Sequence, residues 1–437
     1  MSVINYLTSN IFKQPSLFMG VIALIGLILQ RKSVGDTIKG TFKTVMGVII
    51  LFIGVNLIGT AVAPLSSAFG TLYQLPSGNQ FDPSICWTLL GTHGSTIGLV
   101  IVIAFIINLL VARITPIKNI FLTGHIFFWM SYIFVLAGVQ GGLEGAPLVI
   151  FASLFLAFYI IVIPAITKPF VKKITGNDDF TIGHTASLFI ILGGLIGKLV
   201  GNKEKSTEDI KIPKAFDFFR DTTIATALVM FVVYIVVGLL VGAETRIAVF
   251  GGALGTINTI PGMQYDLFTF SLMAGLTFGA GLTILLTGVR LMLGELIPAF
   301  KGISDKLIPK AIPALDIPMI FPYAPNALMI GFILSLAASI GTILLLASTG
   351  NLMYAVIPLA TACFYDVAPG AIAANATGGR TAAIITSIVG GILMVFLIAG
   401  SIAVVFNTSA GFVQLYGGND FSLWSIISGL VSKVFGG

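Results

Sequence analysis

Residues 315–332 read "LDIPMIFPYAPNALMIGF". An acid, three prolines and an asparagine interrupt a stretch otherwise as apolar as a bilayer interior. Each proline removes a backbone donor and clashes with the preceding turn, so Pro318, Pro322 and Pro325 bend the chain around Asp316, Tyr323 and Asn326. A straight membrane helix does not tolerate this pattern, and a water-exposed loop is not this apolar. Irregular backbone at membrane depth survives only when buried in protein or lining a wet cavity. The stretch therefore reads as a broken, re-entrant segment whose polar groups face one another or a ligand.

The rest of the chain supplies the membrane setting. Of its 437 residues, 57% are hydrophobic and only 9% are charged, and the mean hydropathy is +1.05. A soluble domain carries about a quarter of its residues charged, so the chain's solvent is mostly lipid. Windows long enough to cross the hydrocarbon core lie at 15–30, 41–63, 97–112, 120–139, 146–167, 222–242, 266–289 and 380–406. The expected fold is an all-α polytopic membrane protein with about 11 transmembrane helices and re-entrant hairpins. The opening "MSVINYLTSNIFK" lacks a basic region followed by a small-residue cleavage site, so no removable signal is expected. Cys86 and Cys363 read as small buried hydrophobes, not as a disulfide.

The net charge of +6 does not point to nucleic acid, because the basic residues gather in short loops beside apolar segments. Clusters at Arg31–Lys43, Arg113–Lys118, Lys168–Lys173, Lys198–Arg220 and Arg290–Lys310 mark the cytoplasmic side. The connections 64–82, 140–147 and 251–264 hold no Lys or Arg. One segment breaks the alternation. Residues 182–197, "IGHTASLFIILGGLIG", lie between two basic loops and are expected to dip into the membrane or lie along its interface.

A weak internal repeat adds a plan. "LFIG" at 51–54 resembles "LMLG" at 291–294, and the two segments run in opposite directions by the charge rule. This suggests one membrane domain over 1–437 built from two inverted repeats, roughly 12–200 and 220–430. In that plan the opening stretch has a counterpart at 75–92, "LPSGNQFDPSICWTLLGT", also broken by Pro, Gly and Asp. Paired broken segments in corresponding halves point to a transporter's binding site.

Candidate ligand groups follow from the polar residues in apolar surroundings. His93 stands in "GTHGST", His125 in "LTGHIF" and His184 in "TIGHTAS". An imidazole offers both a donor and an acceptor near neutral pH, which suits an acidic, hydroxyl-rich molecule. Asp366, in "CFYDVAPGAIAANATGG", is a second intramembrane acid and could equally serve a proton relay. Asn326 could cap the helix that follows it, Gln140 ends a span, and Arg380 suits an interface anchor. The small-residue run after Asp366 allows close helix packing. The histidine spacings do not match a zinc motif, and no metal or cofactor is expected. No GxxxxGK[ST] loop, GxSxG elbow or reactive cysteine is present, so the chain reads as a carrier and not as an enzyme.

The block "GELIPAFKGISDKLIPKAIPALDIPMIFPYAPNALMIGFI" (294–333), with "LTGHIF" and "GHTAS", resembles the ascorbate-specific enzyme IIC permeases of the bacterial phosphotransferase system over nearly the whole chain. The resemblance implies a homodimeric, multi-pass protein of the bacterial inner membrane. It implies inward movement of L-ascorbate by an elevator-like core, with a cytoplasmic enzyme IIB, fed by an enzyme IIA, making ascorbate 6-phosphate. Carried onto this sequence, it favours His125, His184, Asp316, Asn326 and Asp366 as ligand groups, followed by Thr92, His93, Tyr323 and Gln140. Composition alone also leaves open an ion- or proton-coupled secondary carrier of a small hydroxylated anion, and a membrane subunit with no transport path.

Overall fold

The computed structural model describes residues 10–11, 14–73, 81–82, 85–202, 204–211, 221–241, 266–306, 308–354, 356 and 358–436. In chain order its helices are α1 (Pro15–Leu29), α2 (Val34–Tyr73), α3 (Ile85–Ile114), α4 (Gly124–Gln140), α5 (Gly145–Thr175), α6 (Ser187–Val200), α7 (Thr222–Leu240), α8 (Leu267–Lys306), α9 (Pro325–Ser348), α10 (Ala360–Val404), α11 (Ala410–Tyr416) and α12 (Asp420–Gly436). Among the described residues, six helices are long and apolar enough to cross a membrane, which makes the protein multi-pass. The first broken segment expected at 75–92 lies partly outside the described residues, at 75–80 and 83–84. The connection 251–264 and residues 203 and 212–220 of the basic stretch lie outside them too.

The helices sort into two bodies. In one, α1, α2, α7 and α8 pack on one another. The other contains α3 to α6 and α9 to α12. The bodies touch chiefly where α1 meets α4 and α7 meets α9. The first body is held by a glycine seam. A Cβ on Gly47 would stand 2.6 Å from the Met292 backbone nitrogen, and one on Gly54 would stand 2.5 Å from that of Leu285. Seen from α8, Gly288 presses on Leu51 and Gly281 on Ile58. The seam matches "GVIILFIG" (47–54) with "GLTILLTG" (281–288), running antiparallel. Where it ends, Lys43 Nζ donates to Glu295 Oε1 at 3.0 Å, so two of the basic segments lie side by side.

Small residues also close the second body. The run after Asp366 forms the first half of α10 and lies against α6, where a Cβ on Gly193 would clash with the Gly370 carbonyl and one on Gly197 with Thr377. Backbones this close leave no room for side chains, which is how membrane helices gain packing without a hydrophobic drive. α6 has 14 residues, about 21 Å at 1.5 Å per residue, which is too short to cross the core.

A helix-only fold is not what forms. Asn119–Phe121 (β1), Thr181–Ile182 (β2) and Ile312–Leu315 (β3) make a three-stranded parallel sheet in the order β1-β3-β2. The strands have three, two and four residues, too few to show an alternating pattern between helices. Sheet edges at membrane depth need partners, and side chains supply them. Asn108 of α3 donates from Nδ2 to the Asn119 carbonyl (2.9 Å) and accepts the Phe121 N–H on Oδ1 (3.1 Å). On the other edge, Thr167 of α5 donates to the Ile182 carbonyl at 3.3 Å. Pro313, which has no N–H to give, sits in the central strand at a position before β2 begins its pairing at Thr181↔Ala314.

The stretch 315–332 is broken, as its prolines require. Leu315 ends β3, Ile317–Tyr323 form a 3₁₀ turn, and Ala324 (φ −153°, ψ 73°) separates that turn from α9.

Candidate functional site

The sheet explains how distant residues meet. Parallel strands present their carboxyl ends on one edge, and here each chain turns inward just past it. His125 lies four residues after β1, His184 two after β2, and Asp316 immediately after β3. Strands this short span about 10 Å, from basic loops at Lys118 and Lys310 to the cluster. Asp366 arrives from a fourth direction, on the π-helical turn Cys363–Val367 within α10. Such turns break the regular ladder and recur at functional sites.

The groups lie close. His184 Nε2 is 3.8 Å from Asp316 Oδ1, His184 Nδ1 is 3.6 Å from Asp366 Oδ1, and His125 Nδ1 is 3.9 Å from Asp316 Oδ2. The imidazole centroids are 6.1 Å apart. Asp316 Oδ1 accepts the Ile317 N–H at 2.8 Å, and Asp366 is held by Thr185 Oγ1 (2.5 Å) and Asn419 Nδ2 (2.9 Å). All four line a cavity of about 360 Å³, which falls in the range of small-molecule sites. Its other polar lining includes Thr185, Tyr365, Asn419 and Asn56, with the Trp129 ring beside them. Among the described residues, buried His125 Nδ1 and Tyr365 Oη have no hydrogen-bond partner.

The cavity lies between the two bodies. The first contributes Leu51, Phe52, Asn56, Ile58 and Leu285, and the second contributes every ionisable group. One ligand atom from each of His125, His184 and Asp316 falls within 4.8 Å of the others, a spacing that a metal could use. The tautomer argues for a different ligand. The Ala186 N–H donates to His184 Nδ1 at 3.1 Å, so the neutral ring carries its proton on Nε2. That atom then donates toward the cavity and has no lone pair for a cation. The arrangement suits a hydroxylated ligand, which can accept from the imidazoles and donate to the carboxylates.

Of the nine residues singled out from sequence, His125, His184, Asp316 and Asp366 meet here, and five do not. The Asn326 amide donates to the Thr207 carbonyl (3.2 Å), while the Asn326 and Ala327 N–H groups donate to Glu208. The positive end of α9 thus faces a protein carboxylate and not the cavity. Tyr323, 45% exposed, lines a separate polar cavity with Lys173, Glu208 and Asn375. Gln140 Oε1 accepts from the Asn407 N–H and Thr408 Oγ1, both at 3.2 Å. Thr92 bonds back to the Thr88 carbonyl in its own helix, and His93, in the same helix, is not among the lining residues.

Several lining residues escaped the sequence reading although signals existed. Trp129 follows His125 by one helical turn, Thr185 adjoins His184, and Tyr365 adjoins Asp366. Asn419 stands in "YGGND", a polar break between two apolar runs.

Comparison with known proteins fits this geometry. The family model described as the PTS system sugar-specific permease component, EIIC-GAT, matches residues 10–420. A protein of Mycoplasma pneumoniae, the ascorbate-specific PTS system EIIC component, is 28% identical over 475 residues, covering 96% of this chain and 69% of that protein. A broken, polar-lined membrane site and a match over nearly the full length lead to one assignment: the chain belongs to the EIIC-GAT family of PTS sugar-specific permease components.

Proposed function

We propose that the chain is the membrane component of an ascorbate phosphotransferase system, carrying L-ascorbate inward across a bacterial inner membrane. The single observation carrying this reading is the meeting of His125, His184, Asp316 and Asp366 on one cavity. Ascorbate is a small enediol monoanion with several hydroxyls. His184 Nε2–H, with His125, donates to the enediolate oxygens, Asp316 accepts from side-chain hydroxyls, and the Trp129 face packs on the flat ring. Asp366 holds this arrangement through Thr185 and Asn419. The name of the Mycoplasma relative supports the choice of ascorbate among the sugars that the family handles.

Transport takes an elevator form in this reading. The ionisable groups ride on one body, and the other offers the wall of Leu51, Phe52, Ile58 and Leu285, with Asn56 its polar member. A polar cargo held by one body can then pass an apolar face without being handed between ligand sets. Two copies join through the first body to make a homodimer. A cytoplasmic enzyme IIB, loaded by an enzyme IIA, phosphorylates the arriving ascorbate, and its removal as the 6-phosphate drives uptake.

The test is uptake of labelled ascorbate by proteoliposomes. Accumulation as the phosphate, dependent on phosphorylated enzyme IIB, is the expected result. Accumulation of free ascorbate on an imposed proton or sodium gradient alone would overturn the reading. That outcome favours the second reading, a proton-coupled carrier, for which the Asp316–His184–Asp366 chain at 3.8 and 3.6 Å is the supporting observation.

A further inference from the structure

Asp420 is a buried acid that the cavity does not use. It is 1% exposed and absent from the cavity lining, although Asn419 beside it belongs there. It is the first residue of α12, after the cap Asn419, whose Oδ1 accepts the Phe421 N–H at 3.0 Å, so Asp420 is not needed as the cap. Its carboxylate is turned elsewhere. Oδ1 accepts the Leu188 N–H in the first turn of α6 at 3.0 Å, and Oδ2 accepts the Tyr159 hydroxyl of α5 at 3.0 Å. Its own N–H donates to the Thr185 carbonyl at 3.2 Å.

Those partners lead straight to the cavity. Thr185 donates to Asp366 Oδ1, and Asn419 donates to Asp366 Oδ2. Between Thr185 and Leu188 runs the turn whose Ala186 N–H sets the His184 tautomer. The dipeptide Asn419–Asp420 thus ties α5, the start of α6 and the π-helical turn of α10 into one frame. Gly418, at φ +80°, makes the approach possible, since a Cβ there would collide with Met394. Two acceptor oxygens are needed, one for an N–H at the positive end of α6 and one for a phenol. An asparagine offers one acceptor and a misplaced NH₂.

We propose that Asp420 is a positioning residue for the substrate site, acting through Thr185 and the α6 N-terminus to hold His184 and Asp366 in register. This rests on the cavity being the ascorbate site. The test uses the purified full-length chain with Asp420→Asn and, as a milder change that removes one hydrogen bond, Tyr159→Phe. Two quantities are read: amide hydrogen exchange of residues 185–188, which needs no ligand, and ascorbate affinity. In Asp420→Asn, exchange at these amides should rise about tenfold or more while the rest of α5 and α10 keeps its protection. Ascorbate affinity should fall about tenfold, and Tyr159→Phe should move both readouts less, in the same direction. Thr185→Val combined with Asp420→Asn should weaken binding little beyond the worse single variant, because both act through one frame. Unchanged exchange at 185–188 in the folded variants overturns the proposal, as does a fully multiplicative double variant. Raised exchange together with a wild-type chain that does not bind ascorbate supports the frame and removes the substrate assignment instead.

Discussion

The two helical bodies pack by similar means and carry opposite burdens. The α2–α8 pair of the first body meets backbone to backbone through Gly47, Gly54, Gly281 and Gly288, and this body adds only Asn56 to the polar lining of the cavity. The second is also glycine-packed, yet it buries two acids and a histidine at the cavity, the buried Asp420 behind them, and hydrogen bonds tying each to a neighbour. Buried polar groups are stable only when partnered. Concentrating them in one body lets one set of braces serve them all, and leaves the facing wall apolar. Four predictions probe this contrast.

The largest effect is expected at the ionisable cluster. His184→Ala and Asp316→Asn should each weaken ascorbate binding about a hundredfold, since each leaves charged or buried partners unpaired. Calorimetry on the purified variants, with chromatography to establish folding, reads the result. Wild-type affinity in both would remove the cluster from the binding site. Next comes Gly47→Val, whose side chain would meet the Met292 backbone. It should cost about 3 kcal/mol or more of stability by overpacking, seen as a lower thermal midpoint, while the folded fraction binds ascorbate normally. A normal midpoint would show that the seam yields and that close backbone contact is not what holds the first body together.

Trp129→Ala comes third. The indole packs beside Phe412 with centroids 5.0 Å apart, and it faces the cavity. Its loss should reduce affinity about tenfold, in line with the worth of an aromatic face. Trp129→Phe should restore most of that loss. Asn56→Ala should show the smallest change, about twofold to threefold, because this exposed side chain is the first body's polar contribution and has alternatives in water. A loss matching that of His184→Ala would abolish the asymmetry between the bodies.

Much of this was legible in residue order, for reasons that can be named. Three prolines in 18 residues forbid a continuous helix, so the break at 315–332 is written in the sequence itself. His125, His184, Asp316 and Asp366 stood out because an ionisable group among apolar neighbours needs a partner. The same rule also drew attention to Asn326 and Gln140, and the resemblance added Thr92. Their needs are met by protein: Thr207, the Asn407–Thr408 turn and the Thr88 carbonyl respectively. Hydropathy cannot tell a ligand contact from a brace. The sheet was hidden because strands of two to four residues carry no periodicity. Asn419 and Asp420 were overlooked because they follow a Gly-Gly turn, where polar residues ordinarily signal a surface loop.

The three-stranded sheet also decides where this chain tolerates changes of length. Between strand and site the spacing is short and counted: three residues separate Phe121 from His125, one separates Ile182 from His184, and none lies between Leu315 and Asp316. An insertion there rotates or carries a side chain off its target, since one residue in extended backbone reverses the direction it faces. Upstream, the segments 115–118, 176–180 and 308–311 enter the sheet from its far edge, and added residues there bulge outward without altering pairing. Homologues and designed variants should therefore accumulate insertions before each strand and almost none after it.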